Sequence, residues 1–289
     1  MKCICCESEQ IISQTISFKE YYECSYCGFM FTEKNTNNNT RSTLVNHYQA
    51  IDPHERVAAS KLSFFKSTLD HLKAESKNEN KSILDVGCGF GYFIEFASRD
   101  GWNTFGVEIS DIAVKEAKKK VGEKNIFHGF LRDANYPDGF FDAITAWDVL
   151  FIVDDPLQEV KECYRILKSG GKIGIRARNV IFQRLIYSLY QPIKNLASRF
   201  GVRNPYVFHR YCFTSKSMYS LLSRAGFKHI KISNSPLTKG DPYSHAKMSL
   251  LTILTKALIE LSARVIFSLT RGRYIVGPSL LVWAEKPRP

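Results

Sequence analysis

The sequence predicts an α/β protein with a doubly wound, mainly parallel sheet. From Ser82 onward, short apolar segments alternate with segments of helical spacing, which is the pattern of a parallel sheet covered by helices. One apolar segment, residues 83–86, runs directly into a glycine-rich turn, where the backbone can approach a ligand closely. A chain of 289 residues is long enough for one such domain and a small additional segment.

The composition excludes several classes of protein. With 44% hydrophobic and 24% charged residues, the chain is typical of soluble globular proteins. It contains no uncharged apolar run of about 18 residues, so we expect no membrane-spanning helix. The first residues lack the apolar stretch of a signal peptide, so we expect a cytoplasmic protein.

The basic residues are concentrated in the last third of the chain. Residues 1–80 and 81–180 each carry a net charge of −1, whereas residues 181–289 hold 17 Lys and Arg against 3 Asp and Glu. The net charge of +12 therefore comes from residues 181–289. Such a local excess favours a polyanionic partner, namely nucleic acid, a phosphorylated substrate or an anionic membrane, over a merely solvated basic surface.

Two cysteine pairs near the N-terminus predict a zinc site. Cys3 and Cys6 form one C-x2-C pair and Cys24 and Cys27 the other, with 17 residues between the pairs. Four thiolates complete a tetrahedron around zinc, so the predicted role of the Zn²⁺ ion is structural. Disulfides are the alternative, but a cytoplasmic location disfavours them. Cys5 could replace Cys3 or Cys6 as a ligand.

The sequence divides into three parts. Residues 1–34 form a zinc-ribbon-like segment, and residues 35–80 form a polar, low-complexity linker followed by a region of helical spacing. Residues 81–289 form the main domain, with basic amphipathic insertions at about 180–200 and 246–273.

The glycine-rich turn and an acidic residue further on predict a nucleoside-binding edge. Gly87, Gly89 and Gly91 follow a G-x-G-x-G spacing, which differs both from the dinucleotide fingerprint and from a P-loop. A second strand ends at Glu108, 23 residues after Asp85. An acid at this strand end is placed to accept hydrogen bonds from ribose hydroxyls.

At these motifs the sequence resembles the class I S-adenosylmethionine (SAM)-dependent methyltransferases. The segments that carry the resemblance are residues 85–91, Glu108, residues 138–145 and residues 165–171, with weaker similarity at 209–214, 225–227 and 279–284. The resemblance implies a seven-stranded, Rossmann-like sheet whose last strand, 279–284, is antiparallel beside a strand near 228–232. The paired cysteines resemble a bacterial subset that methylates sugars, surface glycans and secondary metabolites.

The resemblance also implies a set of cofactor-binding residues. The glycines of the turn would face the methionine and ribose parts of SAM, and Asp85 would lie beneath the methionine end. The remaining positions are Glu108 for the ribose, Ile109 for one face of the adenine, Asp133 for the adenine amino group, and Trp147 and Asp148 beside the methyl group. Cys88 belongs to the same turn, although packing is the favoured interpretation for it. Core packing is equally compatible with Trp147.

Catalysis requires a nucleophile held close to the methyl group, and a hydroxyl nucleophile benefits from a general base. Many relatives carry Glu-His after the fourth strand, where this chain has Phe151-Ile152. We predict His209 as the replacement base, because an imidazole that titrates near neutrality suits the task. A helix-capping or surface role is the alternative for His209, and Asp148 and Tyr211 are further candidates.

The two insertions have apolar residues at helical spacing, with Pro192 expected to kink or divide the first. A basic amphipathic helix can lie in a membrane interface, so peripheral attachment at the inner face of the membrane is one prediction. Substrate-pocket lids, a dimer interface and simple packing on the sheet are the alternatives.

The leading hypothesis is a cytoplasmic methyltransferase that acts on a sugar, a glycan precursor or a related small metabolite, more readily on oxygen than on carbon or nitrogen. The alternative is a ribosomal-RNA base methyltransferase that binds RNA through the zinc ribbon and the basic region. A scaffold that binds no SAM is the third hypothesis, and the intact glycine turn and Glu108 count against it.

Overall fold

The computed structural model describes residues 1–16, 19–33, 59–73, 81–199, 206, 208–236 and 250–288. The predicted polar linker, the predicted start of the N-terminal helical region and the first residues of the second insertion lie outside these ranges.

Seven strands form the central sheet, in the order β10-β11-β8-β7-β4-β5-β6. Their bounds are β4 Ser82–Val86, β5 Asn103–Glu108, β6 Ile126–His128, β7 Phe141–Trp147, β8 Leu167–Arg178, β10 Lys228–Asn234 and β11 Ser279–Glu285. Strands β4 to β8 are parallel, and β11 is antiparallel to both of its neighbours. The predicted seven-stranded sheet with an antiparallel last strand is therefore confirmed.

Helices cover both faces of this sheet. Their bounds are α1 Ala59–Lys73, α2 Tyr92–Arg99, α3 Asp111–Val121, α4 Pro156–Ile166, α5 Val180–Tyr190, α6 Lys194–Arg199, α7 Ser215–Arg224 and α8 Leu250–Leu269. Helices α1 to α3 bury Phe65, Phe93 and Val114 in one cluster, while α4 and α7 contribute Val160 and Leu221 to another. A parallel sheet must bury both faces in this way, which explains the apolar runs of its strands.

A second, smaller sheet joins the cysteine-rich segment to the main domain. Strands β1 (Ile11–Ile16), β2 (Lys19–Cys24) and β3 (Met30–Phe31) are antiparallel neighbours, and β9 (Tyr211–Cys212) is the fourth strand. Because β9 comes from the main domain, the cysteine-rich segment is not a separate domain joined only by a linker. Its cysteines share one buried cluster with residues of the central sheet.

The first insertion is divided as the sequence predicts. Helix α5 ends at Tyr190, a single 3-10 turn spans Gln191–Ile193, and α6 begins at Lys194. Pro192 occupies the turn, where its missing amide hydrogen removes a helical hydrogen bond. Among the described residues, no helix is both long enough and apolar enough to span a membrane.

Candidate functional site

The candidate site lies at the carboxyl ends of β4, β5 and β7, where Glu108 connects two loops. One carboxylate oxygen of Glu108 accepts a hydrogen bond from the amide of Gly89 at 2.9 Å. The other accepts from the amides of Ile109 at 2.8 Å and Ser110 at 2.9 Å. The buried carboxylate thus fixes the glycine turn to the end of β5, since hydrogen bonds to a charged acceptor are among the stronger ones.

The glycine turn has a backbone conformation that other residues rarely adopt. Gly87, Gly89 and Gly91 have φ angles of 70°, 54° and 76°, all in the left-handed region. A Cβ atom on Gly87 would lie 2.0 Å from Cγ2 of Val149, which follows β7. The turn therefore passes directly beside the β7 loop, and a side chain at Gly87 would force the two apart.

Asp85 lies beneath this turn and is completely buried. The Thr145 hydroxyl donates a hydrogen bond of 2.7 Å to its carboxylate. Burial raises the pKa of Asp85 to about 7, although the hydrogen bond from Thr145 acts in the opposite direction and lowers it. A carboxyl in this state favours a nearby cation, because the cation offsets the loss of hydration. The sequence pattern missed Thr145, which has no motif signal of its own.

Cys88 packs in the core, as the favoured interpretation of the sequence has it. A Cβ atom on Gly106 of β5 would lie 2.7 Å from its sulfur, so the thiol fills the space left by that glycine. Burial raises the pKa of Cys88 well above its ordinary value, which makes the thiol unreactive.

The two predicted adenine contacts lie on the far side of Glu108. Ile109 is half-buried directly after Glu108, and its carbonyl oxygen is 3.3 Å from Nε2 of His128. Asp133 is exposed on a 3-10 turn, with its carboxylate 3.8 Å from Arg132. Ile109 follows the carboxyl end of β5 and Asp133 lies in the turn after β6, and their predicted roles remain predictions.

Trp147 packs among aromatic residues between α1 and the sheet. Its ring centroid lies 5.0 Å from that of Phe64 and 5.8 Å from that of Phe93, with edge-to-face geometry in both pairs. This arrangement favours the packing interpretation. The indole Nε1 is nevertheless buried without a hydrogen-bond partner among the described residues, so it is a donor that a ligand could satisfy.

Asp148 directly follows β7 and is held by a buried arginine. Arg176 of β8 donates from Nε to the Asp148 carboxylate at 2.7 Å and forms a second contact through Nη2. The Asp148 amide also donates to the Arg176 carbonyl oxygen at 2.9 Å. Asp148 has a φ of 56°, an uncommon conformation for a non-glycine residue. The carboxylate predicted to border the methyl group is therefore fixed in an ion pair.

His209 is half-buried against the loop that follows β7. Its ring is stacked on Phe151, with centroids 3.9 Å apart, and its Nε2 has no hydrogen-bond partner among the described residues. Burial, and then the nearby positive charge of Arg178, lower the pKa of His209 to about 3. The expected titration near neutrality is therefore wrong, while the side chain is neither fully buried nor exposed. Phe151, at which the chain departs from the family pattern, is the stacking partner of the imidazole, a contact that the sequence does not predict.

Tyr211 is the candidate whose geometry least suits proton transfer. Its hydroxyl donates to the carbonyl oxygen of Asp154 at 2.8 Å, and its ring is stacked at 5.9 Å on that of Phe29. Burial raises the pKa of Tyr211. These contacts favour a structural role, because the hydroxyl proton is already used.

The four predicted zinc ligands form one cluster. The sulfur atoms of Cys3, Cys6, Cys24 and Cys27 all lie within 4.8 Å of one another, and the pairs Cys3–Cys27 and Cys6–Cys24 are 3.6 Å apart. Tetrahedral zinc with bonds of about 2.3 Å separates its sulfurs by roughly 3.8 Å, so the residues fit the ion. The separations are too long for disulfides. Cys5 is buried beside the cluster and is not a member of it.

Comparison with known proteins identifies the fold and the family. The family described as "Methyltransferase domain" matches residues 55–232. The chain belongs to this family. A SAM-dependent methyltransferase from Archaeoglobus fulgidus shares 20% identity at a TM-score of 0.51, covering 79% of this chain and 95% of that one. At this identity the likeness shows the fold, which is that of the class I SAM-dependent methyltransferases.

Two further proteins resemble this chain. The ubiquinone biosynthesis O-methyltransferase of Coxiella burnetii is 27% identical over 129 residues, which are 42% of this chain and 53% of that protein. The chain thus spans about half the length of this curated relative. The phosphoethanolamine N-methyltransferase 2 of Haemonchus contortus, solved with SAM, has 14% identity and a TM-score of 0.55, covering 96% of this chain and 71% of that one.

Proposed function

We propose that the protein is a SAM-dependent O-methyltransferase that acts on a small acceptor. The observation that carries the proposal is the anchoring of a left-handed glycine turn to the buried carboxylate of Glu108 at the carboxyl edge of the sheet. Glu108 would hold the ribose, Asp85 the cationic amine, and Asp133 the adenine amino group. When bound, SAM supplies an electrophilic methyl group carried on a sulfonium.

The acceptor would bind between the loop after β7 and the segment that carries His209. The imidazole Nε2 has no hydrogen-bond partner among the described residues and is neutral at physiological pH, so it can accept a hydrogen bond from an acceptor hydroxyl. On transfer of the methyl group, the S–CH₃ bond would break to leave a neutral thioether, and Nε2 would take up the proton of the acceptor hydroxyl. Asp148 lies close enough to stabilise the resulting imidazolium, as its effect on the pKa of His209 indicates.

An oxygen acceptor is supported by the relative named for O-methylation in ubiquinone biosynthesis. The same relative favours a small metabolite over RNA as the acceptor. Within that class, we propose a sugar, a glycan precursor or a related metabolite, which rests on the paired cysteines and their resemblance to the glycan-modifying subset. The four cysteines would hold a structural Zn²⁺ ion.

Labelled methyl groups test the proposed reaction. Purified protein, SAM labelled in the methyl group and a fractionated lysate of the source organism are incubated together. We expect label in the small-molecule or glycan-precursor fraction, as an alkali-stable methyl ether. Label in RNA would support the alternative hypothesis, and a protein that fails to bind SAM would contradict both.

We also propose that the acceptor side faces an anionic membrane surface. Helices α5 and α6 with the turn between them present one continuous exposed apolar stripe, in which Leu189 is 62% exposed; its other members are Ile181, Leu185, Ile193 and Leu196. Lys194 and Arg199, both exposed, lie on the same segment. This combination is typical of helices that lie in a membrane interface.

A second exposed apolar helix reaches the same edge of the sheet. Helix α8 exposes Leu258, Leu261, Val265 and Leu269, and the loop after it exposes Arg271 and Arg273. Asn179, which caps α5, donates to the carbonyl oxygens of Ile275 and Gly277 in that loop, so the end of α8 adjoins the start of α5. The positive charge of this region complements an anionic leaflet, at about 1 kcal/mol for each basic residue near the surface.

Vesicle flotation tests this surface. We expect the protein to float with phosphatidylcholine vesicles that contain about a third of an anionic lipid, and much less with phosphatidylcholine alone. The Leu185→Ser, Leu189→Ser double variant should lose most of this binding. Leu62→Ser is the matched control, because Leu62 is an exposed leucine of α1, outside both insertions. Equal binding of all variants, or a concentration-dependent dimer that buries the stripe, would contradict the proposal.

A further inference from the structure

The segment 208–214 carries His209, and the four-cysteine module, residues 1–16 and 19–33, provides its neighbouring strand. Within this segment β9 pairs with β3, so that Tyr211 lies opposite Phe31. The Thr32 amide donates to the carbonyl oxygen of Arg210 at 3.0 Å, on the residue next to His209. The Tyr21 hydroxyl donates to the carbonyl oxygen of Phe208 at 3.1 Å, on its other side. The backbone on both sides of His209 is therefore held by the module.

Cys27, one of the four proposed zinc ligands, forms a hydrogen bond with the end of this segment. The Thr214 hydroxyl donates to the carbonyl oxygen of Cys27 at 2.6 Å. The Thr214 hydroxyl oxygen also accepts from the Ser217 amide at 3.0 Å and thereby caps α7. A Cβ atom on Gly28 would lie 2.8 Å from Cγ2 of Thr214, so the turn after Cys27 packs tightly against this threonine. The knuckle and the segment are therefore in direct contact.

Aromatic packing joins the module and the segment from the other face. Phe29 is fully buried, and its ring centroid lies 5.9 Å from Tyr211 and 5.3 Å from Phe213. Ring pairs of this kind stabilise the contact beyond the area that they bury. Phe29 follows Cys27 by two residues, so its position depends on the conformation of the knuckle.

The SAM side of the site is built without the module. Asp85 is held by Thr145 on β7, and Glu108 is held by amides of the glycine turn and of the chain after β5. These contacts lie within the central sheet and its loops. Loosening the module should therefore affect the two sides of the site differently.

We propose that the four-cysteine module is the positioning element of the acceptor side, and that metal binding to it fixes the segment that carries His209. This inference rests on the proposed function, in that His209 faces the acceptor. A module of about thirty residues has too little apolar surface to stay folded alone, so the free energy of metal binding becomes folding free energy. Without the ion, β3 and the Cys27 turn lose their geometry, and β9 loses its partner strand.

Hydrogen exchange measured by mass spectrometry tests the proposal independently of turnover. We compare the zinc-loaded protein with the same protein after chelation and with Cys24→Ser. The amides of residues 208–214 should exchange at least ten times faster in both, while those of β4 and β5 keep their protection. SAM affinity, measured by calorimetry, should stay within about two-fold, whereas the acceptor KM should rise or kcat should fall at least ten-fold.

Three variants separate positioning from general destabilisation. Cys163→Ala is the matched control, because Cys163 is a buried cysteine of α4 outside the module. Thr214→Val should reproduce the local increase in exchange with zinc still bound, and Thr214→Ser should restore the wild-type pattern. The inference is overturned if exchange in 208–214 is unchanged after chelation, or if Thr214→Val changes neither exchange nor acceptor kinetics. Failure of the zinc-loaded protein to bind SAM would contradict the proposed function. The hydrogen-exchange result would still show whether metal binding fixes residues 208–214.

Discussion

Glu108→Gln is expected to weaken SAM binding by about 100-fold and to lower the stability of the folded protein. The substitution replaces one carboxylate oxygen by an NH₂ group, which then faces either the Gly89 amide or the amides of Ile109 and Ser110. An NH₂ group that faces a backbone amide in a buried site lowers the free energy of unfolding by about 1–3 kcal/mol. The charge-assisted hydrogen bonds of the carboxylate are lost as well. The glycine turn would lose its anchor before any ligand arrives.

Titration calorimetry with SAM and urea unfolding measure the two effects separately. Glu123→Gln is the matched control, since it makes the same chemical change at an exposed glutamate at the amino-terminal end of β6, opposite the carboxyl edge, and we expect no effect from it. If Glu108→Gln lowers stability while the folded variant binds SAM with wild-type affinity, the residue only supports the turn and the ribose assignment is wrong.

His209→Gln is expected to lower kcat by about 100-fold while SAM affinity stays close to that of the wild type. Proton transfer by a positioned side chain contributes about 10²–10⁴-fold, and a glutamine cannot take up the proton. Because the pKa of His209 is lowered to about 3, the imidazole should be neutral between pH 5 and 8. Its own ionisation should therefore add no step to the pH–rate profile near 6.5.

The same lowered pKa predicts how stability depends on pH. The unfolded chain binds a proton at this histidine below about pH 6.5, whereas the folded protein does so only near pH 3. The folded state binds fewer protons in this window, so the free energy of unfolding should fall as the pH is lowered from 6.5 towards 3. Urea unfolding of the wild type and of His209→Gln at pH 7.5 and 5 measures this, and the variant should be less sensitive to acid.

His229→Asn is the matched control for both measurements. His229 is exposed on β10, and asparagine tolerates its φ of 51°. A wild-type kcat in His209→Gln would end the proposed role of the imidazole. Asp148 would then be the remaining candidate, although its carboxylate is already engaged in an ion pair with Arg176.

Features that depend on short stretches of sequence, namely the central sheet, the glycine turn and the cysteine cluster, could be predicted. The alternation of strands and helices gave the sheet, and the spacing of the glycine turn and Glu108 gave the edge where a nucleoside would bind. The two C-x2-C pairs likewise predicted a cluster that the four sulfur atoms form. In each case the residues that act together are close in the chain or occupy successive strand ends of one sheet, so the pattern carries the geometry.

The parts that depend on distant packing could not be predicted. The burial of His209 against Phe151, which sets its pKa, depends on two loops that meet only in the folded protein. The apolar stripe of α5 was equally compatible with core packing. Its outward orientation follows from Arg184, which pairs with Glu23 and turns the opposite face of the helix toward the small sheet. No local pattern contains such contacts.

The pairing of β3 with β9 has a consequence for how the chain folds. Cys27 and Thr214, which bond beside this pair, are 187 residues apart, so the small sheet closes only after most of the protein has been made. Contacts of such long range slow folding, because the loop between them must be closed first. Until then β3 is an open sheet edge that could pair with another chain. A metal that folds the cysteine knuckles early would keep this edge short and ordered during synthesis. The first effect of zinc starvation should then be aggregation of newly made chains.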